Sequence, residues 1–391
     1  MSGFLHGVET IELDVGLRPI QVVRSSVIGL IGTAPDADTD AFPADTPVLV
    51  AGSRTEAAKL GETGTLPAAI DGIFDQAGAL VVVVRVEEGV DAAQTMANVI
   101  GGVDATTGAY EGLQCFLAAE NVVKVTPRIL IAPGFTQNVA VTSNMIAIAD
   151  RLRAVIFVDG PNTNDADAIT FRGSFGSDRV YVVDPWVKVF DPVTATNVEQ
   201  PPSARVAGIT ARTDQERGFW WSPSNQLMNG IVGTARDVSF GLSDPLSRAN
   251  LLNEGEVATI IQKDGYRLWG NRSATADPLW AFISVRRTAD MIYESIEQGH
   301  LWAMDRPMSA QLILDIQEGV AAFLRSLQAR GAVLGFNVWV DPDLNTEATL
   351  KAGQFFINFD FEPPAPLERL TFMASRNGDY YNDLIERVIA A

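Results

Sequence analysis

The stretch Val27-Ile-Gly-Leu-Ile-Gly-Thr33 runs an apolar segment into two glycines, the arrangement by which a strand delivers backbone amides to a phosphate. A Walker loop needs Gly-x-x-x-x-Gly-Lys-Ser/Thr, so that amides and a lysine hold the phosphates, and here Gly32 is followed by Thr-Ala-Pro-Asp. A dinucleotide fingerprint needs G-x-G-x-x-G opening a helix. Pro35 and the acids Asp36, Asp38 and Asp40 instead put a negatively charged turn where pyrophosphate would lie. The glycines are therefore expected to serve a turn, and no cofactor is expected. The same three aspartates offer oxygen ligands to a hard cation, but without the glycine and closing glutamate of an EF-hand loop, so no metal is expected either.

Other groups capable of chemistry are few. The two histidines, His6 and His300, lie far apart in the chain and in no motif. His300 follows Ile296 by four residues and precedes Trp302, the setting of a packed helix-end residue rather than a base. No HExxH, CxxC or G-x-S-x-G pattern with plausible partners occurs, so no catalytic residue is assigned. The single cysteine, Cys115, sits in Leu-Gln-Cys-Phe-Leu and reads as helix core. Asn271-Arg-Ser273 matches a glycosylation acceptor by chance, since nothing suggests secretion.

The elements around these residues are more informative. Short apolar runs at 27–31, 48–51, 80–86, 128–132, 154–159 and 180–184 read as strands, separated by helix-like stretches. In one of these, Val141, Met145, Ile148 and Leu152 share a face. This rhythm predicts an α/β layered, mostly parallel sheet domain over 26–240. Residues 184–202, with two Asp-Pro steps and a Pro-Pro pair, read as a turn-rich excursion, followed by a helix over 203–217 and a loop region over 218–251. A boundary is expected near residue 240. Beyond it, over 241–366, strands at 255–261, 266–269 and 279–284, two helices, and strands at 333–340 and 355–361 predict a mixed α+β domain. The first helix carries Val285, Ala289, Ile292 and Ile296 on one face, and the second carries Leu312, Ile316, Val320, Phe323 and Leu327.

Both ends read as extended arms, residues 1–25 and 367–391. Ile11, Leu13 and Val15 alternate with polar residues as in a half-buried strand that stands alone. After the proline-rich segment 362–366, residues 367–373, with Leu367, Leu370 and Phe372, form a second short strand candidate. Such strands pair with exposed sheet edges, either on their own domain or on another copy.

The chain has 391 residues, enough for two or three domains, with 48 acidic against 29 basic residues and a formal charge of -19. Without clustered Lys or Arg it offers no footprint for nucleic acid. Its longest apolar run is strand-sized, so no membrane span is expected. The start, Met-Ser-Gly-Phe-Leu-His-Gly, has neither a basic nor an apolar region of a signal peptide, and folding in the cytoplasm is expected.

Several segments together resemble the short sheath proteins of temperate contractile-tailed phages and R-type pyocins. They are His6-Gly-Val-Glu-Thr-Ile-Glu-Leu, Val27-Ile-Gly-Leu-Ile-Gly-Thr-Ala-Pro-Asp, Val82-Val-Val-Arg-Val-Glu-Glu88, Leu251-Leu-Asn-Glu254 and Thr349-Leu-Lys-Ala-Gly353. The most specific is Lys263-Asp-Gly-Tyr-Arg-Leu-Trp-Gly-Asn-Arg272. The resemblance runs in order along nearly the whole chain. It implies a helical homopolymer around a tail tube protein, with baseplate and tail terminator proteins as further partners. That array is assembled in the bacterial cytoplasm as part of a virion tail or tailocin particle, and its arms are exchanged between subunits. It also implies contraction driven by energy stored at assembly, consistent with the lack of a nucleotide site. Tyr266, Arg267, Trp269 and Arg272 are a candidate interface, since aromatic residues and Arg are favoured at interface hot spots, while Tyr266 and Trp269 also read as core beside a tight turn. The strand-helix rhythm alone would also fit a doubly wound nucleotide-dependent enzyme, and the resemblance would also fit another baseplate or tail component.

Overall fold

The computed structural model describes residues 19–192 and 194–390, so the strand expected at Ile11, Leu13 and Val15 lies outside the described residues. The strands used below are β1 (Ile28–Thr33), β2 (Pro47–Ala51), β3 (Leu80–Val86), β4 (Ile129–Ile131), β5 (Val155–Asp159), β6 (Val180–Val183), β7 (Val187–Asp191), β8 (Thr196–Gln200), β9 (Gly233–Thr234), β10 (Val257–Gln262), β11 (Tyr266–Trp269), β12 (Gly335–Trp339) and β13 (Asn358–Glu362). The helices used below are α1 (Leu66–Phe74), α2 (Val139–Leu152), α3 (Ser203–Glu216), α4 (Ile283–Gly299), α5 (Ala310–Ala329) and α6 (Tyr380–Ile389).

Eight strands form one sheet in the order β11-β10-β6-β5-β4-β1-β3-β2, parallel throughout its centre and closed at each end by an antiparallel strand. Alternation within the strands explains the layering. Ile28, Leu30, Val81, Val83, Ile129 and Phe157 face one side, where α1 and α3 cover them. Ile31, Val82, Val84, Leu130, Ile156 and Val158 face the other, under α2 and the 3-10 helix Gly112–Ala118. Both faces are dry, so the strands read as unbroken apolar runs, and each buried valine stabilises the fold by roughly 1.5–3 kcal/mol over exposure. Cys115 is buried in that 3-10 helix, and burial pushes its thiol up to about 12.

Three expectations are corrected. Residues 184–202 are not only turns: β7 and β8 form an antiparallel hairpin, joined by β9. The strand expected at 279–284 is instead a 3-10 turn (Pro278–Trp280), whose Leu279 amide donates to Asp277, followed by the start of α4. The sheet also continues past residue 240, where a domain boundary was expected, because β10 pairs in parallel with β6.

The remaining unit packs α4 and α5 against the two-stranded β12–β13 sheet around Ile292, Phe323, Leu324 and Leu327. Its α4 is bolted to the large sheet through arginines. Arg179 reaches Asp290 (2.6 Å) and Asp150 (2.9 Å), Arg286 reaches Asp290 (2.9 Å) and Asp178 (3.3 Å), and Arg287 reaches Asp214 (2.6 Å). Arg128 also pairs with Glu294.

Candidate assembly surfaces

In an open parallel sheet, ligands bind beyond the carboxyl ends of the strands, so that is where an enzyme site would lie. Here the position is filled by protein. Asp159, at the end of β5, accepts from the Ser203 amide and hydroxyl (both 2.8 Å) and from Thr136 Oγ1 (3.1 Å). Burial nevertheless pushes its carboxyl up to about 6. Asp184, after β6, accepts from Arg236 (2.5 Å) and from the Asn162 amide (2.9 Å), and burial raises it as well. A Cβ on Gly160 would fall 2.5 Å from Asp184.

The glycines at the start of the sheet are also accounted for by packing. Gly29 and Gly32 lie within β1 rather than in a turn. A Cβ on Gly32 would fall 2.2 Å from Thr65 Oγ1, and one on Gly29 would fall 2.8 Å from Leu130. Asp38 caps the following turn, accepting from the Asp40 and Ala41 amides (3.0 and 3.3 Å), and Asp36 accepts from Thr63 Oγ1 (2.5 Å). Among the described residues no group of three or more His, Cys, Asp or Glu gathers to hold a metal. His300 ends α4, its Nδ1 donating to the Ile296 carbonyl (2.6 Å). No helix among the described residues is long and apolar enough to cross a membrane.

Among the described residues, unpartnered surface is found at the C-terminal side. After β13 the proline-rich chain leaves the body, and residues 363–377 form no strand. The segment expected as a strand at 367–373 has no ladder partner among the described residues, with Leu367, Leu370 and Phe372 exposed at 77, 64 and 85%. It is followed by α6, which the sequence reading missed. Tyr381, Leu384, Ile385 and Val388 recur at i, i+3, i+4 and i+7 as on an amphipathic helix, yet all four are exposed. That spacing was the available clue.

The hairpin 262–272 meets this arm at one point. Asp264 and Gly265 take φ of 50° and 98°, the left-handed values its tight turn requires. Tyr266 Oη donates to the Val232 carbonyl (2.9 Å), and Arg267 donates to the Lys263 and Asn225 carbonyls (2.9 Å each), so these two hold the 225–232 loop and the turn. Trp269 packs edge-on to Phe240 with centroids 5.1 Å apart. Arg272 reaches the arm itself. It lies over Phe282 and donates from Nε and Nη2 to Glu368 Oε2 (3.1 and 2.8 Å).

Between the arm root (364–372) and the body lies an open cleft of about 1650 Å³. Trp220, Trp221, Phe240 and Trp269 line it, and Arg217 and Arg330 stand over Trp221 and Trp220 at 5.0 and 5.1 Å. The β12–β13 sheet is a second unfinished surface. Its inner side chains Phe336, Val338, Phe359 and Phe361 pack on the α4–α5 core, but among the described residues neither outer edge carries a further strand.

Comparison with known proteins gives a consistent result. The family model described as phage tail sheath protein central domain matches residues 100–274, and the phage tail sheath C-terminal domain matches 275–375. The tail sheath protein Gp18 domain III N-terminal region matches 25–86. A prophage major tail sheath protein of Pseudomonas aeruginosa is 40% identical over 384 residues, covering 98% of this chain and 99% of that one. The tail sheath protein of Escherichia phage P2 is 36% identical, covering 99% of each. The fold is shared with the helical sheath of the anti-feeding prophage in its contracted state (TM-score 0.71, 21% identity, 96% of this chain and 100% of that one). It is also shared with the contracted PVC sheath complex of an extracellular contractile injection system (TM-score 0.68, 17% identity, 97% of this chain and 99% of that one).

Proposed function

Because the chain belongs to the phage tail sheath family, we propose that its subunits polymerise head to tail around an inner tail tube, through arms exchanged between copies, and contract without hydrolysing any fuel. It is a structural sheath subunit. What supports the arm exchange is that, among the described residues, the apolar C-terminal segment has no ladder partner and the two-stranded sheet carries no further strand at either edge. A sheet of two strands is marginal by itself, so strands added from neighbours would stabilise it. Leu367, Leu370 and Phe372 of one copy supply one such strand, and Ile11, Leu13 and Val15 supply the other.

Head-to-tail contacts of this heterologous kind do not close, and therefore build a helix. Contraction then releases free energy stored in the extended array, with the arms keeping copies linked while the rigid body rotates. The ionic network around α4 supports this, because it makes the large sheet and the α4–α5 unit move together. The partners in this reading are further copies, the tube, the baseplate and the tail terminator. The tube meets the subunit's acidic surface with basic patches, as charge complementarity favours. Assembly takes place in the host cytoplasm, and the product is part of a tail.

Negative-stain electron microscopy of the purified chain tests the reading: hollow tubes are expected without added nucleotide. Chains that stay monomeric at high concentration would sink it. Removing residues 1–15 is expected to leave folded subunits that form no long tubes, and normal tubes from that variant would exclude arm exchange at the N-terminus.

A further inference from the structure

Two unpartnered features of the described chain match each other in polarity and charge. Helix α6 has ten residues, and its apolar stripe of Tyr381, Leu384, Ile385 and Val388 touches nothing that buries it. The cleft is lined by Trp220, Trp221, Phe240 and Trp269, large apolar surface of the kind that anchors interfaces.

The charges agree as well. Arg217 and Arg330 are exposed and stacked on tryptophans, and neither makes an ion pair with a carboxylate among the described residues, in a chain where most buried arginines have one. Helix α6 and its N-cap carry Asp379, Asp383 and Glu386 against the one guanidinium of Arg387. Trp220 also packs on the cluster that supports β12 and β13, so the cleft adjoins the sheet proposed to receive a neighbour's arm.

We propose that this cleft is the docking site for helix α6 of a second copy of this chain, which lands there after the preceding strand of the same arm has been added to the β12–β13 sheet. The inference rests on the arm-exchange reading and adds a second, separately removable contact to it. The helix stripe packs on the tryptophans while its carboxylates neutralise Arg217 and Arg330.

The test uses full-length chains. A Leu384→Asp/Val388→Asp variant and an Arg217→Glu/Trp221→Ala variant are each expected to raise the concentration needed for tube assembly roughly tenfold or more, the loss typical of a hot-spot contact. Both should leave the subunit's thermal unfolding essentially unchanged, because these side chains are exposed. A chain carrying Trp221→Cys and Leu384→Cys, assembled and treated with a short bismaleimide, is expected to give a ladder of dimers and higher multiples. Tubes that form normally from both variants, or a cross-link that closes within one chain, would overturn the inference while leaving the sheath reading intact. Failure of the unaltered chain to form any tubes would instead remove the sheath reading, and this inference with it.

Discussion

Arg179, which leads into β6, presents Nη1 and Nη2 to the two carboxylate oxygens of Asp290 on α4, at 2.6 and 3.1 Å. Asp290 also accepts from Arg286 Nη2 (2.9 Å), so one carboxylate buried to about 2% exposure serves two guanidiniums. Removing one partner of such a cluster leaves charge buried and unpaired. Asp290→Asn is therefore expected to cost about 3–5 kcal/mol, read as a lowered urea midpoint. By contrast, Lys351→Gln at the exposed Lys351–Glu347 pair should change stability by no more than about 0.5 kcal/mol. Equal effects at the two sites would mean that the network does not hold α4 to the large sheet.

Glu368 anchors the arm root to the body. Its two oxygens accept from Arg272 and, at 3.4 Å, from Asn271 Nδ2, and every described residue after it is exposed. In the arm-exchange reading, holding the root in place would present the following segment to a neighbour at lower entropic cost, as preorganisation does for any binding segment. Glu368→Ala is expected to raise the assembly concentration a few-fold, and Arg272→Lys to do nearly the same, since lysine lacks the guanidinium fork. The exchanged pair Arg272→Glu/Glu368→Arg should recover most of the loss. Sedimentation of tubes measures all three. Easier assembly of the alanine variant would mean that the contact restrains the arm instead.

How far the sequence disclosed this depends on what each residue faces. The central strands were legible because both sheet faces are buried, so Leu80–Val86 reads as one apolar run. The hairpin of β7 and β8 was not, because its residues are half-exposed and an Asp-Pro step imitates a turn. The start of α4 was mistaken for strand because Leu279, Trp280, Phe282 and Ile283 are all apolar beside a capped turn. Arg272 was singled out for its residue type, but its partner lies 96 residues away, a distance no local pattern spans. The arginine network was missed for the same reason, since spacing along the chain does not say which of 48 acids meets which guanidinium.

Asp159 gives the stability a specific pH dependence. Its carboxyl is pushed up from 3.8 to about 6 by burial, against the hydrogen bonds donated by Ser203 and Thr136. A raised folded-state value means that the folded chain holds this proton more tightly than the unfolded one. The resulting contribution is fully present below about pH 4 and is lost as pH rises through about 6. A shift of this size corresponds to about 3 kcal/mol. The gap in unfolding free energy between the Asp159→Asn variant and the parent should therefore move in the variant's favour between pH 4 and 7. A gap that stays flat over that range would show that Asp159 keeps its ordinary acidity.

The glycines that imitate a phosphate loop give a prediction that separates packing from ligand binding. Thr65 Oγ1 accepts the Thr33 amide (3.1 Å) and sits where a side chain at Gly32 would go, 2.2 Å from an added Cβ. Gly32→Ala must displace that hydroxyl or bend β1 in the middle of an eight-stranded sheet. Overpacking of this kind typically costs about 1–3 kcal/mol. The variant should unfold at a lower urea concentration than the parent, with the same difference whether or not nucleotide is present. If millimolar ATP raised the midpoint of the parent but not of Gly32→Ala, the glycine would be making room for a phosphate, and the packing account of this strand would fail.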